Sequence, residues 1–349
     1  MTVDSPYLVS SNDRILVTGA NGFIGAKVLE TLLEYGFTNL VCFVRPSSRL
    51  GRLQEVLDRH AASNNVEFVR GDLLSREDCR KAAEAVSIVY HLAAGIEKSF
   101  AGAVMNSVLT TRNLMDAFLK YGEPKRFVNV SSFAVYSNLK LQRRVLLDES
   151  CPLEDAPQKR FDAYGYGKLK QDELVIEYGK ERRLPYVIVR PGAVFGPGKP
   201  NLTGRVGIDT FGFLIHLGGS NPLPLTYVDN CAEAIVLAGL KRGVENEIFN
   251  IVDDDAPTSR EFLRAYKRQT GVFSLSMPYP VTQFLCACWE RYAKATHNQL
   301  PPVFNRRRCS AEWKGNRYSN QKLKERLGWK PRVDMKSAMA SFLTQFSNS

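Results

Sequence analysis

The chain has 349 residues, 44% of them hydrophobic, and a formal net charge of +11. It is long and apolar enough to bury a large core, as one big domain or two interleaved ones, yet no apolar run approaches the roughly 20 residues a bilayer span requires and no charged-apolar-small leader opens it. The seven cysteines are scattered without a C-x-x-C pair and the four histidines are dispersed, which argues against a disulfide framework and a metal site and leaves a soluble cytoplasmic protein as the expectation.

The first predicted strand, Arg14 to Val17, runs into Thr18-Gly19-Ala20-Asn21-Gly22-Phe23-Ile24-Gly25 and then a helix from Phe23 to Glu34. In such a run Gly19 permits a tight turn, Gly22 lets backbone N–H groups approach a phosphate, and Gly25 lets the helix pack close on its strand. The helix N-terminus there offers N–H donors and a partial positive charge to a dinucleotide pyrophosphate. Short apolar runs of buried parallel-strand type follow at Asn39 to Val44, Val66 to Val69, Ser87 to Tyr90, Phe127 to Val130 and Tyr186 to Val189, with helical patterns that include Ser99 to Tyr121 and Tyr164 to Glu181. Alternating strands and helices predict an α/β fold, a Rossmann doubly wound parallel sheet.

Turn formers from Arg190-Pro191-Gly192 to Gly196-Pro197-Gly198 mark the departure to a smaller lobe, whereas Tyr227 to Leu240 and Ile248 to Val252 read as a return to the core. The predicted division is a Rossmann domain of residues 1–190 with 222–253, and an interleaved C-terminal substrate lobe of 191–221 with 254–349.

A NAD-preferring site usually places an acid about 20 residues beyond the glycines to accept the ribose hydroxyls. Here that place is Arg45, and Cys42 to Arg49 contains no acid, while Arg45, Ser47, Ser48 and Arg49 supply donors suited to a 2′-phosphate. NADP is therefore preferred over NAD. Asp72, in Gly71-Asp72-Leu73, is placed to accept from the adenine amino group, or else to cap the next helix. The small side chains of Leu92-Ala93-Ala94 would let the backbone lie against the cofactor. Basic clusters at Lys140 to Arg144, Lys180 to Arg183 and Arg306 to Arg308 come with no nucleic-acid fold signature and read as a solvated basic face.

Tyr164 and Lys168 stand four residues apart, on one face of a helix. A Tyr beside a cation can serve as a base, provided its pKa near 10 falls by roughly 3 units. Val130-Ser131-Ser132 ends the fifth strand, where a hydroxyl can hydrogen-bond a substrate oxygen.

With these pieces in order, the sequence resembles the extended short-chain dehydrogenase/reductase family, in Thr18 to Gly25, Gly71 to Leu73, His91 to Ala94, Ser131 to Tyr136, Tyr164 to Lys168 and Arg190 to Pro197. The resemblance implies Tyr164 as general acid/base, Ser132 as the substrate-oxygen partner, and Lys168 as the residue that holds the nicotinamide ribose and lowers the Tyr pKa. The candidate cofactor contacts are Gly19, Asn21, Gly22, Phe23, Ile24, Gly25, Arg45, Asp72, Leu73, Leu92, Ala93, Ala94, Tyr164, Lys168, Pro191 and Val194. A homodimer through paired helices is implied by the resemblance alone.

Departures from the family's patterns narrow the substrate. Phe133 and Ala134 stand where sugar-nucleotide dehydratases carry a Thr-led acidic pair, and Ala193 and Leu223 stand where many nucleotide-sugar epimerases carry diphosphate-binding Asn and Arg. Phosphate would then have to be met by Lys199, Arg205 or Arg306 to Arg308. The runs Arg190 to Pro197, Thr226 to Asn230, Tyr318 to Lys322 and Leu327 to Pro331 look more like the 3β-hydroxysteroid and sterol dehydrogenase branch. The favoured expectation is a hydride transfer between a secondary alcohol or ketone and the nicotinamide. The alternative is a nucleotide-sugar epimerase or reductase with retained cofactor, and a minor one is a non-catalytic scaffold. Val281 to Tyr292 reads first as a core helix of the small lobe, with a substrate lid or a shallow membrane-contacting helix as alternatives. Glu97 and Lys98 are loop residues in reach of a substrate.

Overall fold

The computed structural model describes residues 6–61, 66–95, 99–199, 203–210, 212–297, 299 and 303–347, so Glu97 and Lys98 lie outside the described residues. Seven strands form the main sheet: β1 Arg14–Thr18, β2 Leu40–Val44, β3 Val66–Arg70, β4 Val86–His91, β5 Arg126–Val130, β6 Tyr186–Pro191 and β7 Glu247–Ile251. Their order is β3-β2-β1-β4-β5-β6-β7, and every pairing is parallel. The order reverses between β1 and β4. A ligand crevice is expected there, outside the carboxyl ends of the strands.

These strands are apolar on both faces because helices cover both. Ile15, Val17, Cys42 and Val44 face one buried cluster, while Leu16, Val41 and Phe43 face another. The helices that matter for the site are α1 Phe23–Glu34, α2 Thr110–Tyr121, α3 Ala163–Arg182, α4 Val228–Leu240, α5 Tyr279–Ala295 and α6 Arg306–Trp313. The predicted helix from Ser99 to Tyr121 is present as one continuous helical run over 100–121, with a π-helical stretch at Val104–Leu109 between Phe100–Ala103 and α2.

After β6 the chain pairs Ala193–Phe195 with Leu225–Tyr227, and a hairpin of Gly207–Thr210 and Phe213–His216 is extended by Ser274–Ser276. Phe195, Phe262 and Phe342 meet edge-to-face or tilted in the core of this smaller region. The chain returns to the large core through α4 and β7. It returns again late, since Leu323, Leu327 and Trp329 join the cluster that holds α1 and α4, and Trp329 Nε1 donates to Asn230 O at 3.1 Å.

Helix α5 departs from the core-helix expectation. Among its residues only Thr282, Cys286 and Ala293 are buried, while Val281, Phe284, Leu285, Trp289 and Tyr292 are exposed. Its apolar residues are too numerous for the narrow face that packs on α6 and the hairpin. Among the described residues, no helix is long and apolar enough to cross a membrane.

Candidate active site

The glycine turn sits at the carboxyl end of β1. Gly19 has φ +69°, and a Cβ on it would stand 2.9 Å from the Ala93 nitrogen and 3.0 Å from the Leu92 carbonyl carbon, so the end of β4 lies directly against the turn. A Cβ on Gly25 would stand 2.1 Å from the Gly19 oxygen, which closes the helix onto the turn from the other side. No side chain caps α1 and its first turn holds no acid. That leaves the helix end open to an anion, with Asn21, Gly22, Phe23 and Ile24 at least partly exposed around it, and the cradle fits a dinucleotide pyrophosphate.

The crevice continues along the strand ends. Leu73 is buried and its carbonyl is held by Asn113 at 3.0 Å, whereas Asp72 is exposed, with Oδ1 accepting the Leu74 N–H at 2.9 Å. The following helix is capped by Ser75 instead. Arg45 stands exposed just past β2, with Ser48 N–H folded back on its carbonyl at 2.9 Å. Pro191 ends β6, and beyond it Lys199 donates to Val194 O at 3.0 Å while lying 5.6 Å from the Phe23 ring centre. Candidate cofactor residues thus stand at the carboxyl ends of the parallel strands β1, β2, β3, β4 and β6.

The Tyr/Lys helix α3 is started by Asp162, which accepts the Gly165 N–H at 3.0 Å. A Cβ on Gly167 would come within 3.2 Å of Ala103, so this glycine lets α3 approach the π-helical segment closely. Tyr164 is brought beside Ser132, close enough for the serine hydroxyl to act on its pKa, and Ser132 Oγ accepts the Ala134 N–H at 3.1 Å. Lys168 is buried on the same helix face, donating to Val130 O at 2.7 Å and to Gln171 Oε1 at 2.9 Å.

Burial raises the Tyr164 pKa above its ordinary value, with the Ser132 hydroxyl acting against it and the carboxylates of Asp162 and Asp172 adding to it. The relief expected from Lys168 is absent among these influences, because its ammonium is turned to Val130 and Gln171. Burial also pushes Lys168 down to about 8, opposed by the charge of Asp172. In the protein alone, the Tyr164 phenol is thus protonated at neutral pH.

Beneath these residues lies a set that sequence reasoning missed. Asp172 meets Arg190 at 3.2 Å, Arg190 donates to the Tyr136 hydroxyl at 3.1 Å, and Tyr136 donates to Asn250 at 2.7 Å, all buried. In the sequence Arg190 belongs to a turn-rich run and to the family resemblance without a role of its own; a charged residue at the end of an otherwise apolar strand is the available signal.

Comparison with known proteins decides the family. The model of the NAD dependent epimerase/dehydratase family matches residues 15–252. The chain belongs to that family. It is 27% identical to sterol-4-alpha-carboxylate 3-dehydrogenase, decarboxylating, of Candida albicans, covering 94% of this chain and 96% of that protein. It is also 27% identical to N-acetyl-alpha-D-glucosaminyl-diphospho-ditrans,octacis-undecaprenol 4-epimerase of Escherichia coli O157:H7, over 82% of this chain and 81% of that one. Among solved structures, UDP-glucuronic acid 4-epimerase from Bacillus cereus shares the fold at a TM-score of 0.70 and 21% identity, covering 96% of this chain and 99% of that one.

As an epimerase/dehydratase family member of the extended short-chain dehydrogenase/reductase type, the protein is a nicotinamide-dinucleotide-dependent oxidoreductase whose relatives include sterol dehydrogenases, a cinnamoyl-CoA reductase and sugar epimerases. Two cavities flank α5. One, of about 840 Å³, is lined by Phe161, Tyr279 and Gln283 with Lys159, Glu290, Lys294, Arg306, Arg307 and Lys314. The other, of about 690 Å³, has no charged lining residue and is walled by Ile208, Ile215, Leu217, Met277, Leu285, Cys286, Trp289, Tyr292, Phe304 and Trp313. Trp313, in the wall of this cavity, donates to Gly204 O at 2.9 Å.

Of the cations named for phosphate, four are engaged within the protein, whereas Arg308 donates its backbone N–H to Asn305. Arg205 donates to Ala311 O at 3.1 Å, Lys199 to Val194 O, Arg306 to Glu290 at 2.9 Å, and Arg307 to Glu154 at 2.6 Å and Asp155 at 2.7 Å.

Proposed function

We propose that this protein is an NADP-preferring dehydrogenase/reductase that interconverts a secondary alcohol and a ketone on a hydrophobic, steroid-like small molecule. The observation that carries the reading is the uncharged cavity beside α5, large enough for a compact ring system and walled by two Trp and one Tyr. Similarity to the Candida albicans sterol dehydrogenase over almost the whole chain supports it. So does the engagement of Arg205, Arg306 and Arg307 by internal partners, which leaves them poorly disposed to clamp a diphosphate.

In this mechanism the substrate oxygen lies between Ser132 and Tyr164. The nicotinamide, when bound, supplies or takes up the hydride. Ser132 orients the oxygen, Tyr164 gives its phenolic proton to it during reduction and removes the hydroxyl proton during oxidation, and Lys168 presents its remaining N–H toward the ribose. The raised Tyr164 pKa keeps the phenol protonated near neutrality, which is the form needed to donate the proton.

Arg45 and its hydroxyl-bearing neighbours would hold the 2′-phosphate of NADP. Cytoplasmic residence, a homodimer and shallow contact of the apolar face of α5 with a membrane complete the proposal. A second reading, a sugar-nucleotide epimerase or reductase that keeps its cofactor, draws on the polar cavity that reaches Phe161 and on the likeness to the Escherichia coli epimerase.

The test is to purify the protein without added nucleotide, denature it and identify released cofactor by mass. An empty protein that binds NADPH more tightly than NADH is the expected result; near-stoichiometric retained NAD would promote the epimerase reading instead. Arg45→Asp should weaken NADPH more than NADH, and equal weakening would overturn the NADP assignment.

A further inference from the structure

Lys168 is the outermost member of a longer buried chain of side chains. Gln171, which accepts from the Lys168 ammonium, donates through Nε2 to Thr111 Oγ1 at 2.7 Å. His91 Nε2 lies 2.9 Å from the same Thr111 oxygen, and His91 Nδ1 lies 2.8 Å from Thr18 Oγ1, which accepts the Ala93 N–H at 3.3 Å. Thr18, His91, Thr111 and Gln171 are each 0% exposed. One chain thus runs from the Tyr/Lys helix, through α2 and the end of β4, to the residue that opens the glycine turn.

The direction of every bond follows from the donors available. A hydroxyl has one proton, and Thr111 donates its own to Ser107 O in the π-helical turn. Gln171 and His91 must therefore both donate to Thr111. His91 then carries its hydrogen on Nε2, which leaves Nδ1 to accept from Thr18. Burial, together with the Lys168 charge, holds the His91 pKa down at about 3, so the ring is neutral at working pH. A carboxamide does not change protonation in this range. The chain holds its members in place and conducts no proton.

We infer that Gln171, backed by Thr111 and His91, is a positioning residue that sets the Lys168 ammonium toward the cofactor crevice. An ammonium has three N–H donors, and Val130 O and Gln171 Oε1 take two, so the direction of the third is fixed by these two acceptors. The nearby carboxylate of Asp172 cannot substitute for Gln171, because Asn129 holds it at 2.9 Å and Arg190 at 3.2 Å. This inference rests on the reading of Lys168 as part of the catalytic set.

The titratable and charged groups that act on the ammonium are Asp172 on its own helix, His91 from β4 and, behind Asp172, Arg190 from β6. Lys168, pushed down to about 8, titrates where its NMR signal can be followed without substrate.

The experiment follows lysine ε-carbon resonances against pH in ¹³C-labelled full-length protein, with Lys168→Met identifying the signal, and measures NADPH affinity by fluorescence on the same samples. Gln171→Leu should lower the Lys168 midpoint by about one pH unit or more. Gln171→Glu should restore or raise it. Thr111→Val should lower it in the same direction, with rescue by Thr111→Ser. A midpoint that stays at the wild-type value in folded Gln171→Leu and Thr111→Val overturns the inference. Should Gln171→Leu not fold, the ordering of Gln171→Glu, Thr111→Val and Thr111→Ser decides it by the same signal. If Lys168→Met left turnover intact, the catalytic reading would fail, while the midpoint shifts would still report whether Gln171 positions the ammonium.

Discussion

The two ends of the proposed site are built on opposite principles. Around Tyr164 and Lys168 the protein buries polar side chains and pairs them with one another, as in Lys168–Gln171–Thr111 and Asp172–Arg190–Tyr136. Around α5 it leaves apolar side chains partly uncovered against an uncharged cavity. Buried hydrogen bonds are strong and directional and do not tolerate misplacement, which suits a region that must hold a proton donor to a fraction of an ångström. Apolar surface is non-directional and tolerates different shapes, which suits recognition of a greasy substrate.

Removing Tyr164's hydroxyl tests the first end most severely. Tyr164→Phe should lower kcat by about 10²- to 10⁴-fold with NADPH affinity kept; loss of both together would mean that the residue holds the fold or cofactor and does no proton transfer.

The next largest effect is expected from pH. The Lys168 ammonium, with its pKa pushed down to about 8, is present below that pH and lost above it, so ketone reduction should be flat below and fall above it, by up to tenfold per unit. A profile flat through pH 9.5 would separate Lys168 from the chemistry.

At the apolar end the effects should be smaller and confined to KM. Trp289→Ala removes part of the cavity wall and should raise KM for hydrophobic ketones by about tenfold, the equivalent of about 1.4 kcal/mol, with kcat little changed. Phe284→Ser, on the exposed face of the same helix at 65% exposure, should leave both constants alone and shift stability by no more than about 0.5 kcal/mol. If Phe284→Ser raised KM as much as Trp289→Ala, the cavity would lose its special place and the whole face of α5 would become the recognition surface.

Much of this was legible beforehand because it is local. Each strand foreseen in the chain stands within a residue or two of its place, since a buried parallel strand needs an unbroken apolar run wherever it occurs. The glycine turn was equally readable, because Gly19 must take positive φ and Gly25 must admit the turn's own oxygen. The return of the chain through α4 and β7 was foreseen, but the later one through Leu323, Leu327 and Trp329 was not, since nothing local distinguishes a helix that packs on the large core from one that packs on the small.

By itself, then, the sequence determined the alternation of strands and helices, the phosphate turn and the spacing that sets Tyr164 and Lys168 on one helix face, all of which depend on residues within a few positions of each other. Only the tertiary structure decided that Gln171, Thr111, His91 and Thr18 form one hydrogen-bonded chain behind Lys168, and that α5 exposes its apolar face beside a cavity. Those relations join residues up to 153 positions apart, such as Thr18 and Gln171, and no propensity or period in the chain encodes which of its buried polar groups will meet.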